Sequence, residues 1–399
     1  MTMRVRAGFM LIVAVAMGLT GCGHYTCGAT FGSSTCTPTG SGLSGGGGGN
    51  VGNGVTALVY IFTADQLAVE ALNLNNSGTF LPLASLQTPA FPTSSSGVVA
   101  VDEKFIYVPL ANNTLYGFSI DVTTGGLTPV TGNPHTVDSS GSIASDPTGR
   151  FLFVAGFAGI SVFTVNSTDG SLALVTGSPF STGGVIPTQM ATDGQGKFLY
   201  GVQGSSGTEI IAFSYDATGV LTTVPGSPFQ GTGFNMAEVA GESSGKYLLG
   251  ITQQSGLNGG SVDNNVYVFT ISPTGVLTEL TPPFATTASP INIAVSPNGR
   301  FVYTFNQNSL GAIGPMEGFQ FDNSTGALTA LTTSPFTGLN AEIGHFDQSG
   351  LYLFAVADEP NLNVRGMFPY TADPSTGALT STFPFFGAPT LVYAVTDVQ

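Results

Sequence analysis

The sequence predicts an all-β fold: a seven-bladed β-propeller of four-stranded antiparallel blades, closed by the C-terminal strand completing the first blade. Three observations lead there. Strand and turn residues dominate while helix formers are scarce. Two short motifs each recur seven times. The first repeat begins one strand late, and the chain ends with one strand to spare.

Composition sets the limits. Of 399 residues, 42% are hydrophobic and 8% are charged, against roughly 25% charged in an ordinary soluble domain. That composition excludes charge-driven disorder. Glycine accounts for 56 residues and tryptophan for none. Eight basic residues against 23 acidic ones, a net charge of −15, exclude a nucleic-acid partner, which requires a basic footprint. No apolar run reaches the ~18 residues of a spanning helix.

The N-terminus reads as an address. Arg4 and Arg6 precede a short apolar stretch that ends in Leu19-Thr20-Gly21-Cys22. This resembles a bacterial lipoprotein signal, with 1–21 removed and Cys22 lipidated. Cleavage leaves six basic against 23 acidic groups. The expected location is the bacterial cell envelope, outer membrane or periplasmic face, held by lipid alone. Residues 22–54 form a Gly/Ser/Thr-rich tether. An exported chain permits a disulfide between Cys27 and Cys36; free thiols are the alternative. The tether contains a G-x-S-x-G match at Gly42, but a nucleophile elbow needs a strand before it and a helix after it.

Residues 55–399 repeat. The first anchor is an aromatic-aliphatic strand ending at Tyr60, Tyr107, Phe153, Tyr200, Leu249, Tyr303 and Phe354, spaced 46 to 54 residues apart. The second is a turn and strand, as in DVTTGGLTPV from Asp121 and DNSTGALTAL from Asp322. The third is Gly-Ser-Pro-Phe at Gly177 and Gly226, with His135 replacing the phenylalanine in one copy. Each unit reads as strands a to d. In unit 3 these start near Ser142, Phe151, Ile160 and Leu172, and Asp, Pro and Gly shape the turns. Units of this length with four strands indicate a propeller. Unit 1 lacks strand a, and the strand from Leu391 resembles 98–101, so it is expected to supply the missing one.

At DPTGRFLFV (146–154), SPNGRFVYT (296–304) and the GSPF turns the sequence resembles the seven-bladed lactonase family, which includes propeller-type 6-phosphogluconolactonases and YVTN-repeat surface proteins. The resemblance covers 55–399 and implies a lactonase fold. Family members often carry Pro-Arg-His before a strand a. The comparable places here read Pro290-Ile291-Asn292 and Pro187-Thr188-Gln189, without the Arg-His pair.

Strand a begins at the face that usually carries a propeller's site. Four residues before the turn acid stand Gln189, Glu238 and Asn292. In unit 7 the run 341–347 reads as carrying one extra residue. That aligns Glu342 with Glu238 and puts His345 on a bulge. The longest b–c insertions, 253–265, 306–315 and 357–363, fall in units 5 to 7. A cleft there is the expected site. Glu238, Glu342 and His345 are its candidate acid–base groups, and Gln189, Asn292 and Arg365 its candidate ligand-binding residues. Lys104, Arg150, Lys197, Lys246 and Arg300 share one a–b turn slot on the opposite face, which argues against a phosphorylated substrate. Asp263-Asn264-Asn265 lacks a calcium-loop pattern and reads as a solvated turn, so no metal and no cofactor are expected. The reading is a monomeric binding or scaffolding module for a small molecule, glycan or envelope protein. The alternative is a lactone hydrolase acting on an unphosphorylated lactone.

Overall fold

The computed structural model describes residues 99–396 apart from 102–103, 111–112, 122–125, 139–141, 204–208, 233–235, 253–262, 309–311, 348, 360–363, 382–384 and 388–390. Before residue 99 it describes five strands. Cys22 and Cys36 lie outside the described residues. Cys27 and Arg365 are described by their backbone alone.

The protein is an all-β propeller of four-stranded antiparallel blades. Unit 3 shows the design: Ile143–Ser145, Phe151–Gly156, Gly159–Val165 and Leu172–Leu174 pair in that order. Six sheets of this kind run from Val99–Val101 to Phe385–Gly387. In units 2, 4, 6 and 7 a further short strand (His135–Thr136, Phe229–Gln230, Phe336–Asn340, Phe385–Gly387) pairs with strand c in addition to strand d. Another four-stranded sheet joins Leu391–Thr396, Val55–Thr63, Val69–Asn75 and Phe80–Pro82. Tyr25–Cys27 pairs with Phe385–Gly387 on the outer side of unit 7.

The inner strands stand side by side. Val99–Val101 neighbours Ile143–Ser145, followed by Gln189–Thr192, Met236–Gly241, Ser289–Val295 and Ile343–Phe346. Leu391–Thr396 lies beside both Ile343–Phe346 and Val99–Val101. Strand b is buried along its length in unit after unit, as in Phe105–Leu110 and Phe151–Gly156. A strand covered on both faces carries continuous apolar sequence rather than alternation. The core is accordingly a series of layers between sheets, such as Phe153, Leu199, Ile211 and Phe213 between units 3 and 4.

The two main sequence anchors meet across these layers. The aromatic that opens strand b lies over the turn glycine of the next unit. Gly275 has φ +85°, and a Cβ there would come 2.6 Å from the Phe198 ring. Gly219 meets Phe151 and Gly326 meets Tyr247 in the same way. The tyrosine two places on then donates to that glycine's carbonyl. Tyr107 reaches Gly170 (2.5 Å), Tyr200 reaches Gly275 (3.1 Å) and Tyr303 reaches Gly377 (2.6 Å). Each such bond contributes about 1 kcal/mol. The Phe-x-Tyr and Thr-Gly motifs therefore recur together because each is the other's partner.

The Gly-Ser-Pro-Phe turn also has a fixed task. Ser178, Ser227 and Ser334 accept the strand-c N–H groups of Val162, Ala212 and Gly318 at 3.0, 2.9 and 3.1 Å. His135 sits opposite Leu115 as Phe229 sits opposite Ile210, which is the repeat-slot role its sequence position indicates.

Candidate functional site

The residue that ends strand a caps the turn into strand b. Asp193 accepts the Phe198 N–H (2.8 Å), Glu242 that of Tyr247 (3.1 Å), Ser296 that of Phe301 (2.9 Å) and Asp347 that of Tyr352 (2.8 Å). The spacing is the same in all four, and this corrects one expectation. Run 341–347 contains no extra residue. Ile343–Phe346 pairs with strand b in unbroken register, from Ile343 opposite Val356 to Phe346 opposite Leu353. Counting back from Asp347 puts Ile343, not Glu342, in the slot of Glu238, and His345 is not on a bulge. Glu342 stands just before the strand, where its N–H donates to the Val356 carbonyl (2.9 Å).

The strands of units 5 and 6 do carry bulges, between Met236 and Glu238 and between Pro290 and Asn292. A bulge bends its strand and re-aims the next side chain. Here the re-aimed residues join a brace across the inner strands. Gln189 donates to the Val239 carbonyl and accepts its N–H, both at 2.9 Å. Glu238 accepts from the Asn292 amide, 3.0 Å from each carboxyl oxygen, and from the Ile293 N–H. Asn292, itself buried, accepts the Gly344 N–H at 3.0 Å. Units 4 to 7 are thus tied by three side chains in one slot.

Glu238 is the exception in this brace, since it alone ionises. Burial raises its carboxyl to about 8, although the bonds from Asn292 and Ile293 oppose the rise. Near neutrality it is largely protonated, an isostere of the amide at Gln189. Its folded pKa lies above the unfolded value, so the folded protein holds the proton more tightly. The contribution to stability is present at low pH and is lost as pH rises through about 8.

His345 occupies a second slot, two residues before the capping residue. The same slot holds Ala144, Ala191, Ala240 and Ala294. His345 is reachable by solvent, yet the surrounding protein pushes its imidazole below the ordinary value. The neutral ring is a potential proton acceptor near pH 7. That substitution in a run of alanines is a stronger signal than the supposed bulge.

The structure joins Gln189, Glu238 and Asn292 in one brace and sets His345 directly after Gly344, which that brace holds. The Arg365 side chain lies outside the described residues, as do 253–262, 309–311 and 360–363 of the three insertions. The basic turn slot is filled as expected. Arg150 pairs with Asp146 (2.9 Å) and covers the Phe151 ring, while Arg300 covers Phe301 and donates to the Pro374 carbonyl (3.2 Å). Asp263 accepts from Asn265 (2.6 Å) and from the Tyr267 hydroxyl (2.7 Å). Among the described residues no three His, Cys, Asp or Glu side chains gather into a metal cage. Sequence reasoning missed Thr304, Asn306 and Glu317, polar residues inside otherwise apolar strands, all buried.

The architecture is a β-propeller with a polar brace across its inner strands. Residues 208–341 match the family model for the seven-bladed β-propeller lactonases. The fold is similar to that of a putative 6-phosphogluconolactonase from Bacteroides uniformis, at a TM-score of 0.64 and 20% identity over 85% of this chain and 99% of that one. A putative 6-phosphogluconolactonase from Bacteroides fragilis gives 0.64 and 18% over 85% and 97%. A periplasmic gluconolactonase from Pseudomonas aeruginosa gives 0.64 and 16% over 86% and 99%. At these identities the likeness is one of fold. No curated protein matches the sequence.

Proposed function

We propose that the protein is a lactone hydrolase acting on an unphosphorylated lactone at the inner ends of units 5 to 7. The observation that carries this reading is Glu238, an inner-strand carboxyl re-aimed by a bulge, fixed by Asn292 and raised to about 8. The family match over 208–341 and the gluconolactonase folds support it. In the ionised form Glu238 takes a proton from water as its oxygen bonds to the acyl carbon. The ring C–O bond then breaks, and the proton passes to the departing alkoxide to give the hydroxy acid. His345 is the second acid–base group. The substrate is unphosphorylated because the described basic side chains occupy the a–b turns at the opposite end.

The scaffold of the proposal is a closed ring of seven blades. It is supported by the pairing of Leu391–Thr396 with Val55–Thr63 and by its position between Ile343–Phe346 and Val99–Val101. The proposal includes export, lipidation at Cys22 and residence at the cell envelope as a monomer.

A second reading, binding of a glycan or envelope protein without turnover, is favoured by the bracing role shared by Gln189, Glu238 and Asn292. Glu238→Gln separates the two. Glutamine reproduces the protonated acid without its ionisation in the unfolded chain, so the variant is expected to melt above the wild type at pH 6, where the unfolded Glu238 is already ionised, and further above it at pH 9. Its turnover on a panel of sugar and aryl lactones is expected to fall at least 100-fold, the scale of a lost general base. Equal turnover in variant and wild type would remove Glu238 from the chemistry. A wild type inactive on the whole panel would leave the binding reading.

A further inference from the structure

Unmet polar atoms gather in the layer between units 5 and 6. Successive side chains of a strand point to opposite faces. In strand b of unit 6, Val302 belongs to that layer, whereas Tyr303 and Phe305 pack towards unit 7. Thr304 and Asn306 therefore face unit 5. In strand c of unit 6, Phe319 and Phe321 belong to the same layer, and Glu317 shares their parity. In strand c of unit 5, Val266 and Val268 face unit 6, and Asn264 precedes them in step. Thr304 stands directly opposite Glu317 in the sheet.

Three side-chain oxygens of this group are buried and unpaired, and the carboxyl beside them is buried too. Thr304 and Asn306 are 0% exposed and Glu317 is 3% exposed. Thr304 Oγ1, Asn306 Oδ1 and Asn264 Oδ1 have no hydrogen-bond partner among the described residues. The Asn306 amide is fixed in orientation, because its Nδ2 donates to the Pro315 carbonyl (2.9 Å) and reaches Glu317 Oε1 (3.4 Å). Glu317 Oε1 also accepts the Thr287 N–H (2.9 Å) and the Thr287 hydroxyl. The layer thus holds a carboxylate and three unmet oxygens, while the described basic side chains stand in the turns at the other end. Burying such a set without positive charge is costly. Oxygen donors without nitrogen or sulfur suit a hard cation.

We propose that the layer between units 5 and 6 binds a calcium ion through the Glu317 carboxylate, Asn306 Oδ1, Asn264 Oδ1 and Thr304 Oγ1. The site stands apart from the lactonase reading and does not depend on it. One carboxylate among neutral donors gives weak affinity, with a Kd on the order of 10⁻⁴ to 10⁻³ M. The ion ties strands b and c of unit 6 to strand c of unit 5.

Terbium luminescence tests this. The chain has no tryptophan, so tyrosine is the sensitiser, and Tyr247 belongs to the same layer. Saturable tyrosine-sensitised terbium emission is expected, displaced by millimolar calcium. Calcium should raise the Tm of EDTA-treated protein by about 2 °C. Glu317→Gln should abolish both effects, and Asp169→Asn, on a remote exposed turn, should preserve them. Asn264→Ala, at the edge of the layer, keeps the test readable if Glu317→Gln does not fold, and should weaken terbium binding at least tenfold. Absence of saturable emission in the wild type, or equal binding by wild type, Glu317→Gln and Asn264→Ala, would overturn the proposal and assign these oxygens to buried water.

Discussion

Deletion of residues 391–399 is expected to leave a chain that does not fold cooperatively. Leu391–Thr396 is the inner strand of its sheet and pairs with Val55–Thr63 from Val59 opposite Thr396 to Thr63 opposite Leu391. Its removal exposes the unpaired edge of a nine-residue apolar strand, VTALVYIFT. It also uncovers the flanks of units 2 and 7, which the missing strand adjoins. An unpaired flat edge is a template for aggregation. Each sheet buries its faces only against neighbours, so losing one inner strand costs two layers at once. Circular dichroism with thermal melting should show no sigmoidal transition, and trypsin or thermolysin should degrade the truncated chain rapidly. A truncated protein that melts with the full chain and resists protease would contradict ring closure by this strand.

Asn292→Ala is expected to be the most damaging conservative change at the inner brace. The Asn292 side chain serves two neighbours, donating to Glu238 in unit 5 and accepting from Gly344 in unit 7. Alanine leaves the buried Gly344 N–H and the half-buried Glu238 carboxyl without that partner. An unmet buried group costs about 1–3 kcal/mol, so the pair should cost about 3 kcal/mol and lower the Tm by about 5 °C. The Asn292 amide opposes the rise in the Glu238 pKa, so its loss should move that carboxyl further upward. The loss of stability should therefore deepen between pH 7 and 9, where the wild-type Glu238 ionises. A variant that melts within about 1 °C of the wild type at both pH values would remove Asn292 from the brace.

Much of this architecture is legible in the sequence because repetition exposes it. The aromatic that opens strand b and the turn glycine of the next unit are contact partners across the five described layers from unit 2 to unit 7, so both recur. The Phe105, Phe198 and Phe301 rings each meet the turn glycine of the following unit. The candidate site is less legible because it lies where the repeats diverge. Gln189, Glu238 and Asn292 were found by counting from the turn acid, yet their task is to bind the backbone of the next inner strand. Sequence spacing carries no sign of that partner. Glu342 does not share the slot of Glu238, because the inner strand of unit 7 keeps an unbroken register whereas the strands of Glu238 and Asn292 each carry a bulge. A bulge adds a residue without a composition signal. The polar group of Thr304, Asn306 and Glu317 went unnoticed because its members are scattered over two strands and converge only through strand alternation.

The pH profile of kcat/KM tests most directly whether Glu238 is the base. On any unphosphorylated lactone that the wild type turns over, with spontaneous hydrolysis subtracted, kcat/KM should rise with pH through a limb near 8, where Glu238 loses its proton. In Glu238→Gln that limb should be gone and the remaining rate flat from pH 6 to 9. A limb near 8 that survives in Glu238→Gln, with undiminished turnover, would contradict the assignment of Glu238 as the base.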